Sequence, residues 1–364
     1  MEQARSADVV GEAPSARETS LPAAIPSANA QAQTASVHVD VGEVSVRTRA
    51  PRNTEAEGFF GADNDDQLRK ALLEGRIVKV EKGRGGRSLG FKVQLDTNEK
   101  AYFKADQTFS AANWFGEVAS YHLDRMLGLG RVPLVVSRTF PWSILSPAAG
   151  NDFRRSEIIM KDGIVQGAIV AWVEGQLVKL PHQPGWERWV RVQHWSSSAI
   201  TPFQRPSVWK KQIDGRLVKS EPDKSALRPE PDREDRASEL SDLIVFDYLT
   251  RNQDRWGGEN ANVLIRGLHG PLVFLDNGAS FEPGAAQPSL MEARLHALQR
   301  FRRKTIQAVR AFDLERFKAR LATEPLQPVL NDAQIAGLVT RRKALLEWVA
   351  HNESTHGEAI WAWE

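Results

Sequence analysis

Toward the end of the chain three polar residues stand where chemistry could be done: Asp254, Asn262 and Asp276. They lie in the run DLIVFDYLTRNQDRWGGENANVLIRGLHGPLVFLDNG, residues 242–278. Asp254-Arg255 opens a loop after an apolar stripe, Asn262 precedes Val263-Leu-Ile265, and the run Leu272-Val-Phe-Leu275 delivers Asp276 just ahead of Asn277 and Gly278. A carboxylate on a loop can take the proton of a hydroxyl. An amide oxygen and a second carboxylate brought together suit a hard divalent ion that keeps water and phosphate oxygens as its other ligands. Base and metal pair in this order are the working parts of a phosphoryl-transfer centre. Chance supplies one Asp-Arg pair easily but rarely all three residues, each against the right apolar background. The plainer alternative is that these polar residues merely bound a β-hairpin.

The elements that would position them can be read outward from that run. Leu240, Leu243, Ile244, Phe246, Asp247 and Leu249 give a helical stripe that ends where Arg251-Asn252 opens the loop. Val263–Ile265 and Leu272–Leu275 read as two short strands joined by a glycine-containing turn at 267–270, which would hold Asn262 and Asp276 together at its open end. Upstream, Leu68, Leu72 and Leu73 give a short helix, Arg76–Glu81 alternates like a strand, and Phe91–Leu95 is a second strand. Between them Gly83, Gly85 and Gly86 form a turn whose backbone N–H groups could approach phosphates, or an ordinary hairpin turn. Ala101-Tyr-Phe-Lys104-Ala is a third strand that ends with a lysine in apolar surroundings. Glu117 is its natural partner, early on an amphipathic helix marked by Trp114, Val118, Tyr121, Leu123 and Leu127. A lysine so held contacts nucleotide phosphates; the alternative is a solvated surface pair.

Leu134–Thr139 and the nearly continuous apolar run Gly163–Val173 complete this sheet and lead to a hinge at Glu174-Gly175, with Trp172 expected in the core. Residues 181–238 mix Pro, Trp and charge, densest over Ser220–Arg236, and read as an insert or exposed excursion; the basic run Arg205–Lys211 reads as a solvated face. After Gly278 a short loop, Ser280–Ser289, precedes helices over Leu290–Phe312, Leu314–Thr323 and Asp332–His351, broken at Pro325 and Pro328. Arg300, Arg302, Arg303, Lys304 and Arg310 are expected as a solvated basic face, and Ala359–Trp363 as a segment packed on the larger half.

Composition bounds these readings. A chain of 364 residues exceeds a usual single core, so two lobes or domains are expected. A net charge of +2 gives no electrostatic case for nucleic acid or an anionic membrane as partner. No apolar run approaches the length needed to span a bilayer. With no Cys, disulfides and thiolate metal sites are excluded. Residues 1–57, rich in Ala, Ser, Glu and Pro, read as a disordered leader without a signal peptide. Cytoplasm is the expected location, with export open if the true start lies upstream.

DLIVFDYLTRNQDR followed by LVFLDNG resembles the four-jointed kinases, relatives of the Golgi casein kinase in the secretory-pathway kinase group. The block Phe115-Gly-Glu-Val-Ala-Ser-Tyr-His-Leu-Asp-Arg-Met-Leu-Gly-Leu-Gly-Arg-Val-Pro133 is similar to that group's helix and following turn, and Arg341–His351 faintly resembles its last helix. The resemblance implies an α+β, two-lobed, protein-kinase-like fold. Its small β-rich N-lobe, with one main helix, would span 65–175, its hinge and charged insert 176–240, and its larger, mostly helical C-lobe 241–364. It implies ATP-dependent transfer of the γ-phosphate to a hydroxyl with Mg²⁺ or Mn²⁺, most simply a protein Ser/Thr. Asp254 would be the base, Lys104 the phosphate contact held by Glu117, Gly83, Gly85 and Gly86 the nucleotide turn, and Asn262 and Asp276 the metal ligands. A small-molecule or sugar acceptor, AMP transfer and a pseudokinase binding module are the alternatives, and the lack of Cys suggests a bacterial member. Three departures stand out: no His precedes Asp254, the spacing to Asn262 exceeds that of HRDxxxxN and leaves Asn260 as a second candidate ligand, and Asn277 replaces the Phe of DFG.

Overall fold

A computed structural model describes residues 37–38, 60, 65–84, 86–109, 111–180, 186–193, 202–203, 210–213, 216–219, 231–256, 262–281 and 288–364. The leader apart from 37–38, Gly85, most of the basic run at 205–211, residues 220–230 of the charged stretch, Asn260 and most of the loop 280–289 lie outside the described residues.

The first half is built on an antiparallel sheet of seven strands. In chain order these are β1 (Val37–His38), β2 (Ile77–Lys82), β3 (Gly90–Leu95), β4 (Lys100–Ala105), β5 (Val135–Pro141), β6 (Met160–Lys161) and β7 (Ile164–Ala171), paired β1-β2-β3-β4-β7-β5 with β6 on β7. Phe91, Val93 and Leu95 of β3 alternate inward with Ala101, Phe103 and Ala105 of β4, as period-two burial requires. Three helices attend the sheet: α1 (Asp65–Glu74), α2 (Trp114–Leu127) and α3 (Trp142–Ala149). Helix α2 lies against β5 and β7 and ends at Gly128, whose φ of 67° suits the left-handed stop that glycine adopts most readily. Helix α3 and the turn after it were not legible as a helix, because Pro147 sits inside it and it is short.

Beyond Gly175 the chain forms β8 (Leu177–Lys179), the two-stranded β9 (Lys210–Ile213) and β10 (Arg216–Lys219), and then α4 (Arg236–Thr250). Every residue of α4 is buried, polar ones included. That burial demands partners: Glu239 meets Arg131 at 3.0 Å and Arg236 at 2.7 Å, Asp242 meets Arg302 at 2.9 Å, and Asp247 meets Arg255 at 3.1 Å. After α4 come β11 (Leu264–Arg266), β12 (Leu272–Val273), α5 (Pro288–Ala297), β13 (Phe301–Arg302), α6 (Arg303–Arg310), α7 (Leu314–Leu321), α8 (Asp332–His356) and β14 (Trp361–Trp363), of which β12, α5, β13 and α8 pack against α4 and α6 and α7 against α2. Mixed α and β elements in this arrangement give the kinase-like two-lobed fold that was expected.

Local differences from the sequence reading have identifiable causes. The helix expected over Leu290–Phe312 is broken, because the N–H groups of Gln299 and Arg300 turn to Val190 O and Phe301 pairs in parallel with Trp361. The basic residues there are not simply solvated: Arg302 binds Asp242, and Arg303 and Arg310 lie over the Trp361 ring. Within 181–238, Trp186, Glu187, Trp189 and Val190 are buried, and Trp186 stacks on Trp256 with centroids 5.3 Å apart. No helix among the described residues is long and apolar enough to cross a membrane.

Candidate active site

Lys104 and Glu117 are brought together by β4 and the first turn of α2, in a contact between Lys104 Nζ and Glu117 Oε1. The same ammonium binds Asp276 Oδ1 at 2.7 Å, from the far end of the chain. Burial works against the Lys104 charge, yet the carboxylates of Asp276 and Glu117 outweigh it and hold its pKa above the ordinary value. In turn the Lys104 charge pulls the Asp276 carboxyl below its usual range, against its partial burial. Lys104 is therefore a firm cation and Asp276 a firm anion near neutral pH. Asp276 remains 53% exposed and sits at φ 62°, a left-handed conformation that turns the backbone sharply after β12 and costs on the order of 1 kcal/mol for a residue with a side chain.

Asp254 and Asn262 form the second cluster. The Asn262 amide donates to Asp254 Oδ2 at 3.1 Å and to Asp254 O at 3.2 Å, which ties the two residues directly together. The backbone N–H of Asp254 is held by Asn252 Oδ1 at 3.2 Å. With its N–H₂ group turned to Asp254, Asn262 has an amide oxygen that accepts no hydrogen bond among the described residues.

One residue ties the two clusters together. Arg255, fully buried, donates to Asp247 at 3.1 Å, to Asn277 Oδ1 at 2.6 Å, to Asn262 O at 3.3 Å and to Leu275 O. Asn252 adds bonds to Asp276 O at 3.3 Å and to Asn277 Oδ1 at 3.4 Å. Asn277, buried where a DFG motif has its Phe, completes the brace through Phe274 O at 2.9 Å. Burial pushes the Asp247 carboxyl up to about 6 although Arg255 opposes the shift. Sequence reading had put Asp247 in an apolar stripe and Arg255 beside a base. The available signal was an acid inside a helix whose other inward residues are apolar, which demands a cation close in space.

The glycine turn is a hairpin between β2 and β3. Gly83 spends its N–H on Gly90 O at 2.8 Å, and Gly86 sits at φ 74° in open space. Arg154 clasps the turn through Gly86 O at 3.1 Å and Ser88 O at 3.0 Å. Trp172, expected in the core, is 38% exposed; its backbone N–H bonds Lys100 O, which places it on the open face that also carries Lys104.

The oxygen donors suit a hard divalent ion. Among the described residues no three His, Asp or Glu gather as a closed cage. An ion held by Asp276 and Asn262 would take its remaining oxygens from phosphate and water, as Mg²⁺ usually does.

Several known proteins are similar to this chain. The family described as Golgi casein kinase, C-terminal, Fam20, matches residues 196–359. Human glycosaminoglycan xylosylkinase is 26% identical over 324 residues, 77% of this chain and 73% of that protein. Human four-jointed box protein 1 is 29% identical over 248 residues, 59% of this chain and 46% of that protein. Among solved structures, hydra Fam20 with sugar superposes with a TM-score of 0.60 at 19% identity, covering 82% of this chain and 91% of its own. The Golgi casein kinase with Mn/ADP bound gives 0.59 at 16% identity, covering 81% and 77%. At these identities the two structures establish the fold.

Proposed function

We propose that the site transfers the γ-phosphoryl group of ATP to a Ser or Thr hydroxyl of a protein, a reading supported by the similarity to the Golgi casein kinase family and to four-jointed box protein 1. The protein is an atypical kinase that works with ATP and a divalent metal. The observation that supports phosphoryl transfer is the convergence of Lys104, Glu117 and Asp276 in one cluster and Asp254 with Asn262 in another, joined by Arg255. A scaffold without chemistry has no need of all five.

In this reading Lys104 turns from Asp276 toward the phosphates while Glu117 keeps it aimed. Asp276 and Asn262 would hold the metal, which supplies neutralisation of the charge on the phosphate oxygens. Asp254 orients the acceptor hydroxyl and takes its proton as the new O–P bond forms and the bond from the γ-phosphorus to the bridging oxygen breaks, leaving ADP. A sugar hydroxyl is the second reading. It is favoured by the xylosylkinase relative, which aligns over most of its own length.

Asp254→Asn tests the assignment. The amide keeps the shape but cannot take the proton, so metal-ATP should stabilise the variant as it does the wild type while transfer is lost. Radiolabel transfer to a panel of proteins, peptides and sugars separates the two acceptor classes. Wild-type protein that binds ATP and labels nothing, itself included, would point to a binding module instead.

A further inference from the structure

Tyr102 stands two residues before Lys104 in β4, so strand alternation puts both on the open face of the sheet, opposite Lys92 and Gly90 of β3. Its phenol lies against Gly83 and Gly90, at the base of the glycine turn. A methyl group built on Gly83 would come within 2.1 Å of the Tyr102 hydroxyl, and one on Gly90 within 2.6 Å of it and 2.4 Å of the ring. The ring thus gives a packing reason for both glycines, and they in turn fix where the hydroxyl points. Three charged groups act on that hydroxyl: Lys104, Arg154 and Asp276. Burial raises its pKa, so at neutral pH it is an intact O–H donor. Among the described residues no side chain or backbone group hydrogen-bonds to it.

A donor that no described residue engages, set against a glycine hairpin on the strand face of Lys104 and within the electrostatic reach of Lys104, Arg154 and Asp276, is placed to serve an anionic oxygen. We propose that Tyr102 is a nucleotide-positioning residue whose hydroxyl donates a hydrogen bond to a phosphate oxygen of the bound nucleotide, alongside Lys104 from the same strand face. This rests on the nucleotide-binding reading above and deepens it. A hydrogen bond to a charged oxygen contributes enough to change affinity by roughly 10- to 100-fold. The same contact sets the angle at which the phosphate chain enters the site, so it acts on alignment as well as on binding.

Tyr102→Phe is the direct test, because the ring stays on Gly83 and Gly90 and only the hydroxyl goes. Dissociation constants for ATP with Mg²⁺ or Mn²⁺ and for adenosine are measured by calorimetry on wild type and variant, with the melting temperature of each free protein. The expected result is ATP binding weakened roughly 10- to 100-fold, adenosine binding unchanged, and a free-protein melting temperature within about a degree of wild type. A variant that binds ATP as the wild type does would overturn the proposal and leave the ring as a packing wedge. Tighter ATP binding would overturn it too, since the hydroxyl would then be an obstruction. Equal weakening of ATP and adenosine would mean a general distortion and would also sink it. A wild type that binds no ATP with either metal defeats the nucleotide reading itself, and this proposal with it.

Discussion

Arg255→Met is the most searching perturbation of the site's frame. Methionine keeps the length and apolar stem of arginine and removes every donor. Asp247 is then left buried without its cation, so that it must either stay charged in apolar surroundings or take up a proton, and Asn262 O, Leu275 O and Asn277 Oδ1 each lose a donor. Removing one partner of a buried ion pair costs about 3–5 kcal/mol. At roughly 2 °C per kcal/mol for a chain of this size, the melting temperature should fall by roughly 6–10 °C. Adding Asp247→Leu removes the stranded carboxylate, so the double variant should recover at least about 1 kcal/mol relative to the sum of the single changes. Urea unfolding at pH 7.5, followed by tryptophan fluorescence, reads this on all four proteins; Trp256, buried next to Arg255 in the chain, reports on the site itself. Folded Arg255→Met should also lose stabilisation by metal-ATP, because Asn262 and Asp276 are no longer braced. Strict additivity of the two substitutions, or a melting temperature within a degree of wild type for Arg255→Met, would refute the reasoning.

Three further outcomes follow from the same geometry. Asp247 titrates at about 6 when folded against an ordinary 3.8, so its protonation favours the fold: that contribution is complete below about pH 4 and lost as pH rises through about 6. The difference in unfolding free energy between wild type and Asp247→Asn should therefore shift by up to about 3 kcal/mol between pH 4 and 7.5, and a flat difference would contradict the burial. Asp276→Ala should abolish stabilisation by ATP with Mg²⁺ or Mn²⁺, about 2.7 kcal/mol at a hundred times the dissociation constant, and a thermal shift equal to wild type would remove Asp276 from the metal site. Gly116→Ala places a methyl 2.6 Å from Asn277 O and 2.9 Å from Ser280 O, so α2 must move off the loop after Asp276 and carry Glu117 away from Lys104; a loss of about 1–3 kcal/mol in stability is expected with a fall in turnover, and unchanged turnover would show that the helix position does not matter.

What was legible in the sequence was what local pattern dictates. Alternating Phe91, Val93 and Leu95 announced β3, and the stripe from Trp114 to Leu127 announced α2 to within a residue of its ends. Lys104 and Glu117 could be paired because each sits at the edge of a strongly patterned element, whereas the contact of Asp276 with Lys104, 172 positions away in the chain, could not. What the pattern could not give was the brace. Arg255 acts through four contacts to separate segments, and nothing in its own neighbourhood distinguishes it from a surface arginine. Asp247 was hidden for the opposite reason: α4 is buried on every side, so no polar face exists to mark its charged residues as exceptional. The same holds for Gly83 and Gly90, whose small size answers to a tyrosine on another strand.

Gly116 lies against the carbonyls of Asn277 and Ser280, and the Asn113 N–H bonds Gly278 O at 3.1 Å. Helix and loop therefore meet main chain to main chain, with no aromatic plug between them to rotate away. A compound that inhibits by prising such a helix outward, or by filling the space an aromatic vacates, would find no hollow here and would have to break backbone contacts to make one. Selective inhibitors of this protein are better sought on the open strand face, where Trp172 and Tyr102 offer shapes of their own.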